Sequence, residues 1–136
     1  MLKFFTETKF TQDELQSIPS ATLAWIGDAV YSLCAREYEL RFNHGKPAKL
    51  NKAVTEWVNA NAQSLSLEKI LPFLTDEEAS VVRRARNAPI TTKSKHYGIA
   101  DYKRATGLEA LIGYLYLSNN MERLNKILEL IFGDKQ

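Results

Sequence analysis

Apolar residues in this chain return at close to every 3.6 positions almost from end to end, and no stretch shows the period-two alternation of a half-buried strand. That spacing predicts an all-α fold, because a chain with one apolar stripe per helix buries it only by packing helix on helix. A first helix is expected from about Pro19 and Ser20, which are helix-start signals, to about Phe42. Leu23, Ile26, Val30, Leu33 and Cys34 share one of its faces, and the turn Asn43-His44-Gly45-Lys46-Pro47 ends it. A second helical region covers about Ala48 to Leu74, broken near Asn59 to Asn61, with Val54, Trp57, Val58, Leu65, Leu67, Ile70 and Leu71 as its apolar positions. Thr75 and Glu78 form a capping box for a helix running to about Arg86, and Asn87 to Tyr97 reads as a loop. A long helix follows from about Ile99 to Leu117, then an Asn119-Asn120 turn and a last helix that Asn120 caps and Gly133 closes. With 136 residues, no internal repeat and no linker, one domain spanning 1–136, its core about 19–132, is the economical reading.

Composition removes several classes of function. Hydrophobic residues make up 45% and charged residues 25% of the chain, which is ordinary for a folded globular protein and argues against disorder. The longest strongly apolar stretch, Ala110 to Leu117, is far short of the roughly 20 residues of a membrane span. The opening residues break into charge and threonine too early for a signal peptide. The single cysteine, Cys34, excludes an internal disulfide, suits a reducing compartment and reads as core packing. A cytoplasmic location is expected. The two histidines, His44 and His96, stand apart and lack zinc-ligand company; His44 reads as a turn residue, and His96 is a candidate for substrate contact.

The net charge of +2 decides little, but its distribution does more. Arg83, Arg84, Arg86, Lys93, Lys95, Lys103 and Arg104 fall between Val82 and Arg104 with one acid, Asp101. Such a zone is either a solvated surface or a patch for a polyanion, which rewards clustered cations through counterion release.

Two helices carry residues that packing alone does not call for. In Ala24-Trp25-Ile26-Gly27-Asp28-Ala29, a helix-interior glycine costs about 1 kcal/mol relative to alanine, so Gly27 predicts a close backbone approach. Asp28 shares its face with the small residues Ala21, Ala24, Ser32 and Ala35, which leaves room near the carboxylate. In the second helix, Glu109 is the one charge in a run from Leu108 to Leu117 that is apolar on every side. A buried carboxylate must be neutralised, paired with a cation or bound to a metal. Gly113 lies one turn after Glu109, as Gly27 lies beside Asp28; the two helices are expected to cross there and bring the acids together. Paired carboxylates near a basic zone suit hard divalent cations such as Mg2+, which can activate water and offset charge on a phosphodiester.

These residues resemble a known family. Leu23-Ala24-Trp25-Ile26-Gly27-Asp28-Ala29 is similar to the signature helix of ribonuclease III, and Glu109-Ala110-Leu111-Ile112-Gly113 to that family's second catalytic helix. The match covers about Pro19 to Phe132. It is strongest to the short bacterial Mini form, which the stretches Arg83-Arg84-Ala85-Arg86-Asn87-Ala88 and Tyr102 to Leu117 also resemble. The resemblance implies a ribonuclease III-type endonuclease domain without a separate double-stranded-RNA-binding domain. It implies a homodimer that hydrolyses double-stranded RNA to 5′-phosphate and 3′-hydroxyl ends, acting on a stem of precursor 23S ribosomal RNA. Asp28 and Glu109 would be the catalytic metal ligands, for Mg2+ with Mn2+ able to substitute. Arg83, Arg84, Arg86, Asn87, Lys93, Lys95, Lys103 and Arg104 become candidates for RNA contacts.

The sequence departs from the general family pattern at two usually acidic positions, which are Ala24 and Thr106 here. Thr106 is carried over only as a water-mediated or outer ligand. The departures leave open the number of metal ions, and they are the feature that favours a non-catalytic RNA-binding or ribosome-associated protein of the same fold as the alternative.

Overall fold

The computed structural model describes residues 10–89 and 98–133, and among these helix follows helix with no strand. The order is α1 (Gln12–Ser17), α2 (Ser20–Phe42), α3 (Pro47–Val58), α4 (Ala60–Ile70), a 3-10 turn (Leu71–Phe73), α5 (Asp76–Asn87), α6 (Ile99–Leu117) and α7 (Met121–Phe132). The expected break at Asn59 falls between α3 and α4. There the Asn59 side chain accepts from the Ala62 amide at 2.8 Å and starts a new helix. Helix α1 lies outside the periodicity reading because six residues are too few to show a period. Its signal is local: the Thr11 hydroxyl accepts from the Glu14 amide at 3.1 Å, and the Glu14 carboxylate accepts from the Thr11 amide at 2.9 Å. Thr75 and Glu78 close the same reciprocal cap on α5, as expected. None of the described helices is long and apolar enough to cross a membrane.

Helix α6 is the hub, packed against α2, α4, α5 and α7. Its all-round apolar sequence is the reason: Ala105, Leu108, Ala110, Leu111, Ile112, Tyr114 and Leu115 are all buried, on several sides of one helix. Fully burying a leucine or isoleucine is worth roughly 1.5–3 kcal/mol, so α6 carries a large share of the core energy. Beyond its end, Asn119 takes a left-handed φ of 57°, which asparagine tolerates better than most residues. The Asn119 and Asn120 amides then close onto the carbonyls of Tyr116 (3.0 Å) and Leu115 (3.1 Å), and the Leu115 carbonyl also accepts from the Ser118 hydroxyl at 3.0 Å.

Two buried acids are paired away from the α2–α6 crossing. Glu39 accepts the Trp57 indole N–H at 2.7 Å, tying α2 to α3. Glu78 receives the Arg123 guanidinium through Nε and a terminal nitrogen, each at 2.7 Å, which ties the start of α5 to α7. Burial alone would raise the Glu78 carboxyl, but Arg123 and the Thr75 cap outweigh it and hold it below its ordinary value.

Three apolar expectations are corrected. Leu33 is 47% exposed, Leu65 58% and Leu71, in the 3-10 turn after α4, 39%, although all three fall in apolar periodic patterns. Helix α2 has apolar residues on more than one side. Its buried face runs through Leu23, Gly27, Val30 and Tyr31, whereas Leu33 belongs to an outward stripe. Cys34 is half-buried against the core, and burial pushes its thiol up to about 11, consistent with an inert packing role.

Candidate active site

Helices α2 and α6 touch backbone to backbone at the two glycines singled out by the sequence. A Cβ on Gly27 would overlap the carbonyl oxygen of Glu109 and stand 2.8 Å from the Gly113 amide nitrogen. A Cβ on Gly113 would overlap the carbonyl oxygen of Leu23 and stand 2.9 Å from an Ile26 methyl. Only residues without a side chain allow this approach, and it sets the depth at which the neighbouring acids meet.

Asp28 follows Gly27 and is exposed at the lip of the crossing; Glu109 comes from α6 and is half-buried. Their carboxyl groups lie within hydrogen-bonding reach of each other. Burial pushes the Glu109 carboxyl up to about 8, and the hydrogen bond and charge of Asp28 push it the same way. The opposing influence is Gln63, whose Nε2 donates to Glu109 Oε2 at 3.5 Å. Behind the pair, Tyr31 sits one turn after Asp28, fully buried beside Ser66, its hydroxyl without a well-formed hydrogen bond. Burial pushes that hydroxyl up to about 12, with Ser66 opposing and Cys34 and Glu109 adding to the rise. The sequence reading anticipated Asp28 and Glu109 but not Gln63, Tyr31 or Ser66. Their available signal was a Gln-x-x-Ser pair one turn apart on an otherwise core-facing side of α4.

The arrangement fits a hard divalent cation. Among the described residues, no basic side chain pairs with Asp28 or Glu109, so adjacent carboxyls face one another without a counter-charge. No third His, Cys, Asp or Glu joins them among the described residues, so water, hydroxyl or amide oxygens would complete a coordination shell. Ala24, one turn before Asp28, is buried and offers no ligand. Thr106, one turn before Glu109, donates its hydroxyl to the Tyr102 carbonyl at 3.0 Å, so only its oxygen lone pairs remain to contribute.

The basic zone is spread over two helices. Arg83, Arg84 and Asn87 are exposed on α5, and Arg86 is half-buried with its stem over Gly107 of α6. Lys103 is half-buried on α6, and Arg104 is held by Glu68 of α4 at 3.6 Å. Lys93, Lys95 and His96 lie outside the described residues.

Comparison with known proteins bears on the family and the fold. Residues 21–120 match the Ribonuclease III domain. The chain is 41% identical over 134 residues to a Mini-ribonuclease 3 of Clostridium tetani, covering 98% of this chain and 89% of that protein. It is 42% identical over 126 residues to a Mini-ribonuclease 3 of Brevibacillus brevis, covering 90% and 94%. A crystal structure of a Fusobacterium nucleatum protein superposes with a TM-score of 0.78 at 35% identity, over 90% of this chain and 98% of that one. The expected fold and the family resemblance therefore hold together: this chain belongs to the ribonuclease III family, and its relatives of similar length are Mini-ribonucleases 3.

Proposed function

We propose that this endoribonuclease cuts double-stranded RNA as a homodimer, with Asp28 and Glu109 holding Mg2+, or Mn2+ in its place. Its products would carry 5′-phosphate and 3′-hydroxyl ends, and its natural substrate would be a stem of precursor 23S ribosomal RNA in the cytoplasm. The observation that carries this reading is the meeting of two acids, free of any basic partner among the described residues, at a glycine-lined crossing. A divalent cation bound there would supply an activated water and offset the charge that develops on the phosphodiester. Asp28, at the lip, faces solvent and incoming RNA, while Glu109, behind it, must give up its proton before it can act as a ligand. Arg83, Arg84, Arg86 and Lys103, with Lys93 and Lys95 of the intervening segment, would hold phosphates on either side of the cut; Asn87 at the end of α5 would contact the same strand. Arg104 would do so from an orientation set by Glu68. Binding through phosphates and 2′-hydroxyls of an A-form duplex predicts weak sequence preference and strong salt dependence.

The test is direct. A long RNA duplex should be cut in Mg2+, spared in EDTA and cut again when Mn2+ is added, and a single strand of the same sequence should survive. New ends should accept label from polynucleotide kinase only after phosphatase treatment. Cleavage that is equally rapid in EDTA would refute the metal-dependent reading.

The raised Glu109 carboxyl sets a pH dependence. An acid raised from 4.5 to about 8 binds more protons folded than unfolded, so metal-free stability should fall as pH rises through that interval. Metal binding displaces the same proton, so apparent Mg2+ affinity should climb with pH up to about 8, by no more than about tenfold per unit. Thermal melts in EDTA and Mn2+ titrations at pH 6, 7 and 8 would check both signs; a melting temperature that rises across this range in EDTA contradicts the assignment.

The dimer reading is supported by the outward stripe of α2. Trp25 is 74% exposed, Leu33 47% and Leu40 61%, and with Ala29 they lie within about 80° on the helical wheel. An isologous contact with a second copy would cover this stripe and set an active site on each side of the two-fold axis. Trp25→Glu should halve the mass seen by analytical ultracentrifugation while helical content stays unchanged. A variant that sediments like the parent would place the interface elsewhere.

A further inference from the structure

Gln63 is an expensive residue where it stands. It is 2% exposed on α4, on the side of that helix that also buries Leu67 and Ile70. A leucine would fill such a place without having to bury an amide, which costs free energy unless it is hydrogen-bonded. The Gln63 backbone N–H donates to the Asn59 carbonyl at 3.0 Å, within the turn that the Asn59 side chain caps. From there its side chain reaches Glu109 Oε2 at 3.5 Å. No lysine or arginine does so among the described residues.

The chemistry of the donor matters. A Glu109 side chain has three rotatable bonds, and burial and Asp28 both disfavour its ionised form. A lysine or arginine at position 63 would hold it and favour ionisation, but would also discharge the pair and compete with a cation. An amide N–H holds the carboxylate and favours its ionised state while leaving the full negative charge of the pair in place.

We propose that Gln63 is a positioning residue for the metal site, a neutral donor that turns Glu109 toward Asp28 without neutralising it. This inference rests on the reading of Asp28 and Glu109 as metal ligands, and it adds a third helix, α4, to the machinery. Partners of metal ligands typically contribute 10–100-fold to metal affinity or activity.

The experiment compares Mn2+ binding, by titration calorimetry or by electron paramagnetic resonance of free Mn2+, in the full-length parent, Gln63→Leu and Gln63→Glu. A side chain directed at the carboxylate pair predicts the affinity order Glu at least equal to Gln, and Gln above Leu, with Gln63→Leu weaker by about tenfold. A merely structural position predicts no such order, since apolar leucine suits a buried site best and a buried glutamate suits it worst. Cleavage by Gln63→Leu at saturating Mn2+ should show kcat lowered by about tenfold with KM for RNA within about twofold, because RNA contacts are untouched. Gln63→Leu binding Mn2+ as tightly as the parent, or Gln63→Glu binding more weakly than Gln63→Leu, overturns the role of Gln63 alone. A parent chain that binds no Mn2+ overturns the Asp28 and Glu109 reading, and this inference with it.

Discussion

Asp28→Asn and Glu109→Gln are each expected to lower RNA cleavage by about a thousandfold or more while leaving the fold intact. Both exchanges keep shape and remove a carboxyl group able to ligate a cation, where two acids meet without a basic partner among the described residues. Glutamine at 109 resembles the protonated carboxyl that burial favours below about pH 8, so the variant should melt no lower than the parent in EDTA. The distinguishing measurement is Mn2+ binding followed beside activity and circular dichroism. Loss of cleavage and of Mn2+ binding with unchanged helicity is the expected pattern. Loss of helicity in step with activity would mean that the acids support the fold rather than the chemistry.

Gly27→Ala should destabilise the chain by about 3 kcal/mol or more, and Gly113→Ala by a similar amount. The sign runs against helix propensity, since alanine in place of an exposed helical glycine gains about 1 kcal/mol. Here the added methyl meets the backbone carbonyl of Glu109, or that of Leu23, and no flexible side chain can yield to make room. Relief requires α2 and α6 to separate, which costs packing along α6, the most deeply buried helix. It also moves Asp28 away from Glu109, so Mn2+ affinity and melting temperature should fall together. Chemical denaturation of the two variants checks the magnitude; a midpoint equal to or above that of the parent would show that the helices do not meet backbone to backbone.

What was legible in the sequence follows from local physics. The 3.6 spacing, the Thr75-to-Glu78 box, the break at Asn59 and the Asn119-Asn120 turn each depend on residues within a few positions of one another, and all of them hold. The two acids were legible for a related reason: a lone charge in an apolar helix, and a glycine that weakens its own helix, are both costs that need an explanation from elsewhere. The Thr11 box around α1 is equally local, but it is read from caps rather than from periodicity.

Other features depended on what lies opposite. Periodicity identifies the apolar stripes of α2 but not which of them meets α6, so Leu33 looks like a core residue until α6 is seen against Leu23 and Gly27. Gln63 is marked in the chain only as a polar residue one turn before Ser66 on a core-facing side of α4; its meaning is its contact with Glu109, 46 positions away. Helix type, helix ends and the two acids were determined by the sequence itself, because each rests on short-range backbone and side-chain preferences. Which faces are buried, how closely α2 and α6 approach, and which neutral group holds Glu109 were decided by tertiary structure alone, because they depend on the spacing between surfaces that are distant along the chain.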